Sequence, residues 1–144
     1  MQRILVATDG SEGSDRAVEV SAELAAAGGS ELTILHVAGN VPWETMEELR
    51  RSTADTTIGE IIDSNTQSIL ELACNRARKR GAKKVNSMRA WGDAAEKILE
   101  VIQNEKVDVL VIGRRGRGRI SGLLFGSVSQ KVASLAPCIV VVVP

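Results

Sequence analysis

The sequence predicts a doubly wound α/β domain over residues 1–144, Rossmann-like, with a five-stranded parallel sheet of order 3-2-1-4-5 and helices on both faces. Two observations lead there. Five short runs (ILVAT, LTILHV, VNSMRA, VDVLVI and CIVVVV) read as strands, and continuous β-branched runs suit a sheet covered on both sides. Between successive runs the apolar residues recur at the three-and-four spacing of helices, and strand–helix–strand units in one sheet cross over right-handed. A composition that is 44% hydrophobic and 25% charged supplies a core and excludes disorder.

Taken in order, the first strand is Ile4–Thr8 and runs into Asp9. The helix behind it has Ala17, Val20, Leu24 and Ala27 on its inward face, Ser11 and Ser14 as candidate N-caps, and Gly28-Gly29 as its stop. Leu32–Val37 is the second strand. Residues 38–59, AGNVPWETMEELRRSTADTTIG, are polar and contain Pro42. Within them EELRR suits one helical turn, and a connection of this length is expected to act as a lid over the site. Ile62, Ile69, Ala73 and Ala77 mark the second helix, which closes at Gly81, and Val85–Ala90 is the third strand. Ala95, Ile98, Leu99 and Ile102 give the stripe of the third helix, followed by the strand Val107–Ile112. The fourth helix begins near Ser127 with Val128, Val132 and Leu135 inward and ends before Pro137. Cys138–Val143, the last strand, is expected at a sheet edge.

Charge and composition then narrow the function. Eighteen basic residues balance eighteen acidic ones, yet Arg114, Arg115, Arg117 and Arg119 fall within six positions, so basicity is local. That favours a small anion over a polyanion. An aromatic content of 2%, with Trp43 and Trp91 isolated and expected to pack internally, argues against single-stranded nucleic acid. No apolar run approaches the ~20 residues that span a bilayer, and the N-terminus lacks a signal-peptide pattern, so a cytoplasmic location is expected. Cys74 and Cys138 have neither metal nor redox spacing and read as reduced thiols. His36, within its strand, reads as a hydrogen-bonded structural residue. No Ser-His-Asp set, paired carboxylate or Cys/His metal spacing is present.

The informative stretch is GRRGRGRISGLLFGS, residues 113–127. It starts where the fourth strand ends, and in a doubly wound sheet ligands bind outside the carboxyl ends of the strands where the winding reverses, here between strands one and four. Gly113, Gly116 and Gly126 are expected to adopt positive φ and admit backbone N–H groups to an anion. Ser127 falls at a helix N-terminus, which favours a phosphate. Spacing alone leaves two readings open, a phosphate cradle and a glycine-rich surface loop with Ser127 as a plain N-cap. Gly113 to Gly118 has Walker A spacing, but Arg119-Ile120 replaces the Lys-Ser/Thr pair, and DGSEGS does not supply a dinucleotide fingerprint.

Gly113-x2-Gly116-x9-Gly126-Ser127 matches the G-x2-G-x9-G-(S/T) motif of ATP-binding universal stress proteins. Nearly the whole chain resembles that family: ILVATDGS at the start, ILHV in the second strand, Gly92-Asp93 before the third helix, and APC followed by valines at the end. The resemblance implies that Ala7, Thr8, Asp9 and Val37 border adenine and ribose. It places Gly113 near the ribose and Gly116, Gly126, Ser127 and Val128 at the phosphates, with Asp9 as an alternative holder of Mg²⁺ or Mn²⁺. The implied ligand is ATP, or AMP or ADP, and the implied assembly a homodimer through Cys138–Val143. The function expected is a nucleotide-dependent sensor or interaction module of the stress response, without a catalytic base. Its rivals are slow ATP hydrolysis or autophosphorylation, with Ser127, Ser129 or Ser121 as acceptor, and nucleic-acid binding through the arginines.

Overall fold

Strands and helices alternate along the chain as β1 (Arg3–Ala7), α1 (Glu12–Gly28), β2 (Glu31–Ala38), α2 (Ile58–Lys79), β3 (Lys84–Trp91), α3 (Ala94–Asn104), β4 (Val109–Gly113), α4 (Ser127–Leu135) and β5 (Ile139–Val143). The structure, a computed structural model, describes residues 2–39, 47, 48, 51, 58–116 and 125–144. Glu47, Glu48 and Arg51 of EELRR are helical. Of the expected lid, residues 38–59, Ala38 belongs to β2 and Ile58 and Gly59 to α2, and residues 40–46, 49, 50 and 52–57, Trp43 among them, lie outside the described residues, as do Arg117, Arg119 and Ser121.

The sheet order is β3-β2-β1-β4-β5, all parallel, as the alternation of runs predicts. Alternate residues of a strand point to opposite faces, so each central strand feeds two cores. Val6, Ile34 and Val111 pack with Ala17, Val18 and Ala22 of α1 and Leu70, Ala73 and Ala77 of α2. Leu5, Leu35 and Leu110 pack on the other face with Ala95, Ile98 and Ile102 of α3 and Val132 of α4. Across the outer seam between α1 and α2, Arg76 pairs with Asp15 and Glu19, and Arg80 with Glu19 and Glu23. These half-exposed pairs set the alignment of the two helices more than the stability.

Several expectations are corrected. The buried stripe of α1 is Ser14, Ala17, Val18, Ser21, Ala22 and Ala25, while Val20 is half-buried, Ala27 exposed and Leu24 43% exposed. The helix is wedged between the sheet and α2, and small side chains allow that approach. Leu135, expected inward, is 59% exposed, and Ala136 takes over the packing at the end of α4. β3 is an edge strand with exposed positions along its length, not a strand covered on both faces. Its Trp91 is 61% exposed instead of packed inside. β5 does form the opposite edge, with Ile139 61% exposed. Cys74 is buried and Cys138 half-buried, both unpaired, and burial pushes both thiols up, so they stay protonated at neutral pH.

Candidate functional site

β1 and β4 are neighbours at the centre of the sheet, and the chain leaves their carboxyl ends toward opposite faces, into α1 from one and toward α4 from the other. The divergence opens a cleft of about 300 Å³. Its lining brings together Ala7, Thr8, Asp9, Val37, Gly113, Gly116, Gly126, Ser127 and Val128, all nine residues that the motif and strand ends single out. The switch point therefore carries a cavity as well as a topological argument.

The turn from β1 into α1 is closed by its own side chains. Ser11 is the N-cap, and its hydroxyl accepts from the Ser14 amide at 3.3 Å. The Ser14 hydroxyl donates to the Ser11 carbonyl at 3.0 Å, so it accepts from Thr8 Oγ1, also 3.0 Å away, and from the Asp9 amide at 3.3 Å. Asp9 Oδ1 in turn accepts from the Ser11 amide at 2.9 Å, and Thr8 Oγ1 from the Gly10 amide at 3.2 Å. This network uses the hydrogen-bonding capacity of the turn internally and fixes where the Asp9 carboxylate stands.

Across the cleft the rim is built differently. The Arg114 carbonyl accepts from the Gly126 amide at 2.8 Å and from the Ser129 hydroxyl at 2.6 Å, which ties the start of α4 to the end of β4. Gly126 is the N-cap of α4, so Ser127 is the first helical residue and not the cap. The first turn has no side-chain cap and no acidic residue. Amides at such a terminus point outward and the helix dipole favours negative charge there.

Gly113, Gly116 and Gly126 all lie outside the left-handed region, which Gly10, Gly29, Gly39, Gly81 and Gly92 occupy, and Gly113 and Gly116 are needed for close approach instead. A Cβ on Gly113 would stand 3.0 Å from the Gly13 backbone, and one on Gly116 only 2.5 Å from Asp9 Oδ2. A Cβ on Gly13 would stand 2.8 Å from the Arg115 carbonyl. The missing side chains let α1, β4 and the glycine stretch meet at backbone distance.

Sequence reasoning read Leu35, Ile98 and Ile112 as core or left them unremarked, and Ser14 as a cap, yet all four line the cleft, with Ala94, Arg115 and Ser129. A signal existed for two of them: Leu35 pairs with Ala7 across the parallel ladder, and Ile112 precedes the motif's first glycine. His36 stands behind the rim, its Nδ1 donating to the Thr8 carbonyl at 2.8 Å, which is the structural role expected of it. Asp9 is the acidic side chain among the lining residues, and among the described residues no three His, Cys, Asp or Glu gather as a metal cluster would. One end of the cleft is thus an apolar slot of Ala7, Leu35, Val37, Ile98, Ile112 and Val128. The other carries backbone donors, a hydroxyl and Arg115, a division that suits a ligand with an apolar ring and an anionic tail.

Against known proteins, the chain is 31% identical over 140 residues to a universal stress protein of Thermus aquaticus, covering 97% of this chain and 96% of that one. It is 30% identical to the universal stress protein YxiE of Bacillus subtilis, covering 98% and 97%. Among solved structures, a universal stress protein in complex with cAMP superposes with a TM-score of 0.76 at 29% identity, covering 99% of this chain and 95% of that one. The chain matches the Universal stress protein family across residues 1–144 and belongs to it.

Proposed function

We propose that the chain binds an adenine nucleotide in this cleft and serves the stress response as a nucleotide-dependent sensor or interaction module. The observation that carries the reading is the two-ended cleft at the switch point. Its apolar slot suits adenine, the β1 rim at Thr8 and Asp9 suits ribose, and the uncapped start of α4 with Gly116 and Gly126 suits the phosphates. The relative solved with cAMP supports an adenine nucleotide as the ligand class. ATP is the nucleotide that the G-x2-G-x9-G-S motif favours, with AMP and ADP as shorter occupants. Asp9, one carboxylate beside phosphates, fits the way Mg²⁺ or Mn²⁺ is usually held at such sites. The deciding measurement is a mass spectrum of ligand released from freshly purified protein, followed by calorimetric titration of ATP and AMP. A protein that carries no nucleotide and takes up neither would overturn the reading.

Slow turnover is the second reading, and Ser129 is a poor candidate for its acceptor. Its hydroxyl is buried and donates to the Arg114 carbonyl, so it acts as a strut. The more exposed Ser127 stays available, and a phosphate-release assay against Ser127→Ala separates the two readings. We also propose that a second copy of the chain pairs along β5, whose edge position and exposed Ile139, near an exposed Leu135 in sequence, favour association. Sedimentation as a monomer at every concentration would remove that proposal.

A further inference from the structure

A second basic stretch, RARKRGAKK over residues 76–84, runs from the end of α2 to the first residue of β3 and holds no acid. Two of its cations are committed to the α1 seam, Arg76 to Asp15 and Glu19, and Arg80 to Glu19 and Glu23. Arg78, Lys79 and Lys83 are exposed and make no ion pair or hydrogen bond among the described residues. Cations in a last helical turn complement the helix dipole, but that dipole amounts to about half a charge, and Lys83 lies beyond the helix altogether.

The stretch borders an open sheet edge. β3 pairs with β2 on one side and, among the described residues, with no strand on the other. Alternate residues of such an edge turn N–H and C=O groups outward, a template for a further strand. Between β3 and the flank of α2 turned away from α1 runs a groove of about 440 Å³, lined by Gln67, Glu71, Asn75 and Arg78 of the helix and Ser87 and Arg89 of the strand. Gln67 Nε2 donates to Glu71 at 2.7 Å, and Arg89 donates to Asp63 and Gln67, so Arg78 is the lining cation left without an acceptor among the described residues. An added strand would lie ~4.8 Å outside β3, with every second side chain directed to the α2 side.

We propose that the β3 edge and this groove dock an extended acidic segment of a partner protein, which adds to the sheet as a further strand and sets its carboxylates against Arg78 and Lys83. The charges choose the occupant. β3 carries Lys84 and Arg89 and no acid, so a second copy paired edge to edge would set like charges together, whereas an acidic strand brings the opposite sign. The edge chooses the class of macromolecule, because a peptide main chain matches a strand ladder and a phosphodiester or a lipid headgroup does not. The groove shares no lining residue with the nucleotide cleft, so the proposal stands without the nucleotide reading.

The test titrates the full chain into a fluorescein-labelled peptide of about ten residues that alternates glutamate and threonine, read by anisotropy. Saturable binding is expected, weakened about tenfold in Arg78→Glu and in Lys83→Glu, both at exposed positions. The same peptide N-methylated at every backbone nitrogen keeps its charge but cannot form the ladder, and it is expected not to bind; this arm needs no variant. Hydrogen exchange of the β3 amides should slow about tenfold in the complex while those of β5, the other edge, keep their rates. Equal binding of the N-methylated peptide, equal binding of a lysine–threonine peptide, or protection at β5 in place of β3 would each overturn the proposal. Absence of saturable peptide binding would overturn it too, and duplex DNA or phosphatidylserine vesicles bound in an Arg78-dependent way would then assign the cations to a polyanion.

Discussion

Two helix N-termini, those of α1 and α4, flank the same cleft, and the chain treats them in opposite ways. At α1, Ser11 caps the helix, Ser14, Thr8 and Asp9 interlock around it, and Glu12 and Asp15 place negative charge in the first turn. At α4 the cap is Gly126, which has no side chain to offer, and the first turn holds no acid. Both ends have the same orphan amides and the same dipole. One end satisfies itself and becomes scaffold, while the other is left short of acceptors and becomes a place for an anion. The location of a helix end says little about binding until its capping residues are read.

Breaking the contrast gives the largest effect where the two rims meet. Gly116→Val places a Cβ 2.5 Å from Asp9 Oδ2, so either the carboxylate or the glycine stretch must move. Nucleotide affinity is expected to fall on the order of a hundredfold by calorimetry, with the far-ultraviolet dichroism unchanged; wild-type affinity in a folded variant would show that the cleft is not the site. Gly126→Asp makes α4 resemble α1. The position has ordinary extended backbone angles and room for a Cβ, so an aspartate cap should add a few tenths of a kcal/mol to unfolding stability. Its charge should still weaken nucleotide binding on the order of tenfold. Stability and affinity moving in the same direction would contradict the division of labour drawn above. Ser11→Ala makes α1 resemble α4. It should cost about 1 kcal/mol in urea unfolding while nucleotide affinity stays within about threefold, and a large affinity loss there would mean that the α1 turn is more than scaffold.

The sheet order was legible because helical spacings separate the runs, and the cleft was legible because the four fixed positions of one motif run from the end of β4 to the start of α4. The less legible parts share a cause. Leu35 and Ile98 wall the cleft from positions whose pattern is that of core, since apolar spacing shows that a face is buried but not what lies against it. The inward face of α1 was misplaced because periodicity favours the largest apolar residues. Leu24 stands outside and Ala17, Ala22 and Ala25 inside, where closeness to the sheet matters more than area. Gly113 and Gly116 line the cleft without the positive φ expected of them, because composition cannot distinguish a glycine needed for its φ from one needed for its missing Cβ. Arg114 and Arg115, which resemble solvated loop cations in sequence, are only half-exposed, with their Nε atoms buried.

The hydrogen bond from His36 to the Thr8 carbonyl acts as a second fastening between neighbouring strands. A carbonyl oxygen can only accept, so the ring donates from Nδ1. The Thr8 amide in turn donates to the Leu35 carbonyl at 2.9 Å. The end of β1 is therefore pinned to β2 through both its amide and its carbonyl, and the floor beneath the site is held in place from the adjacent strand.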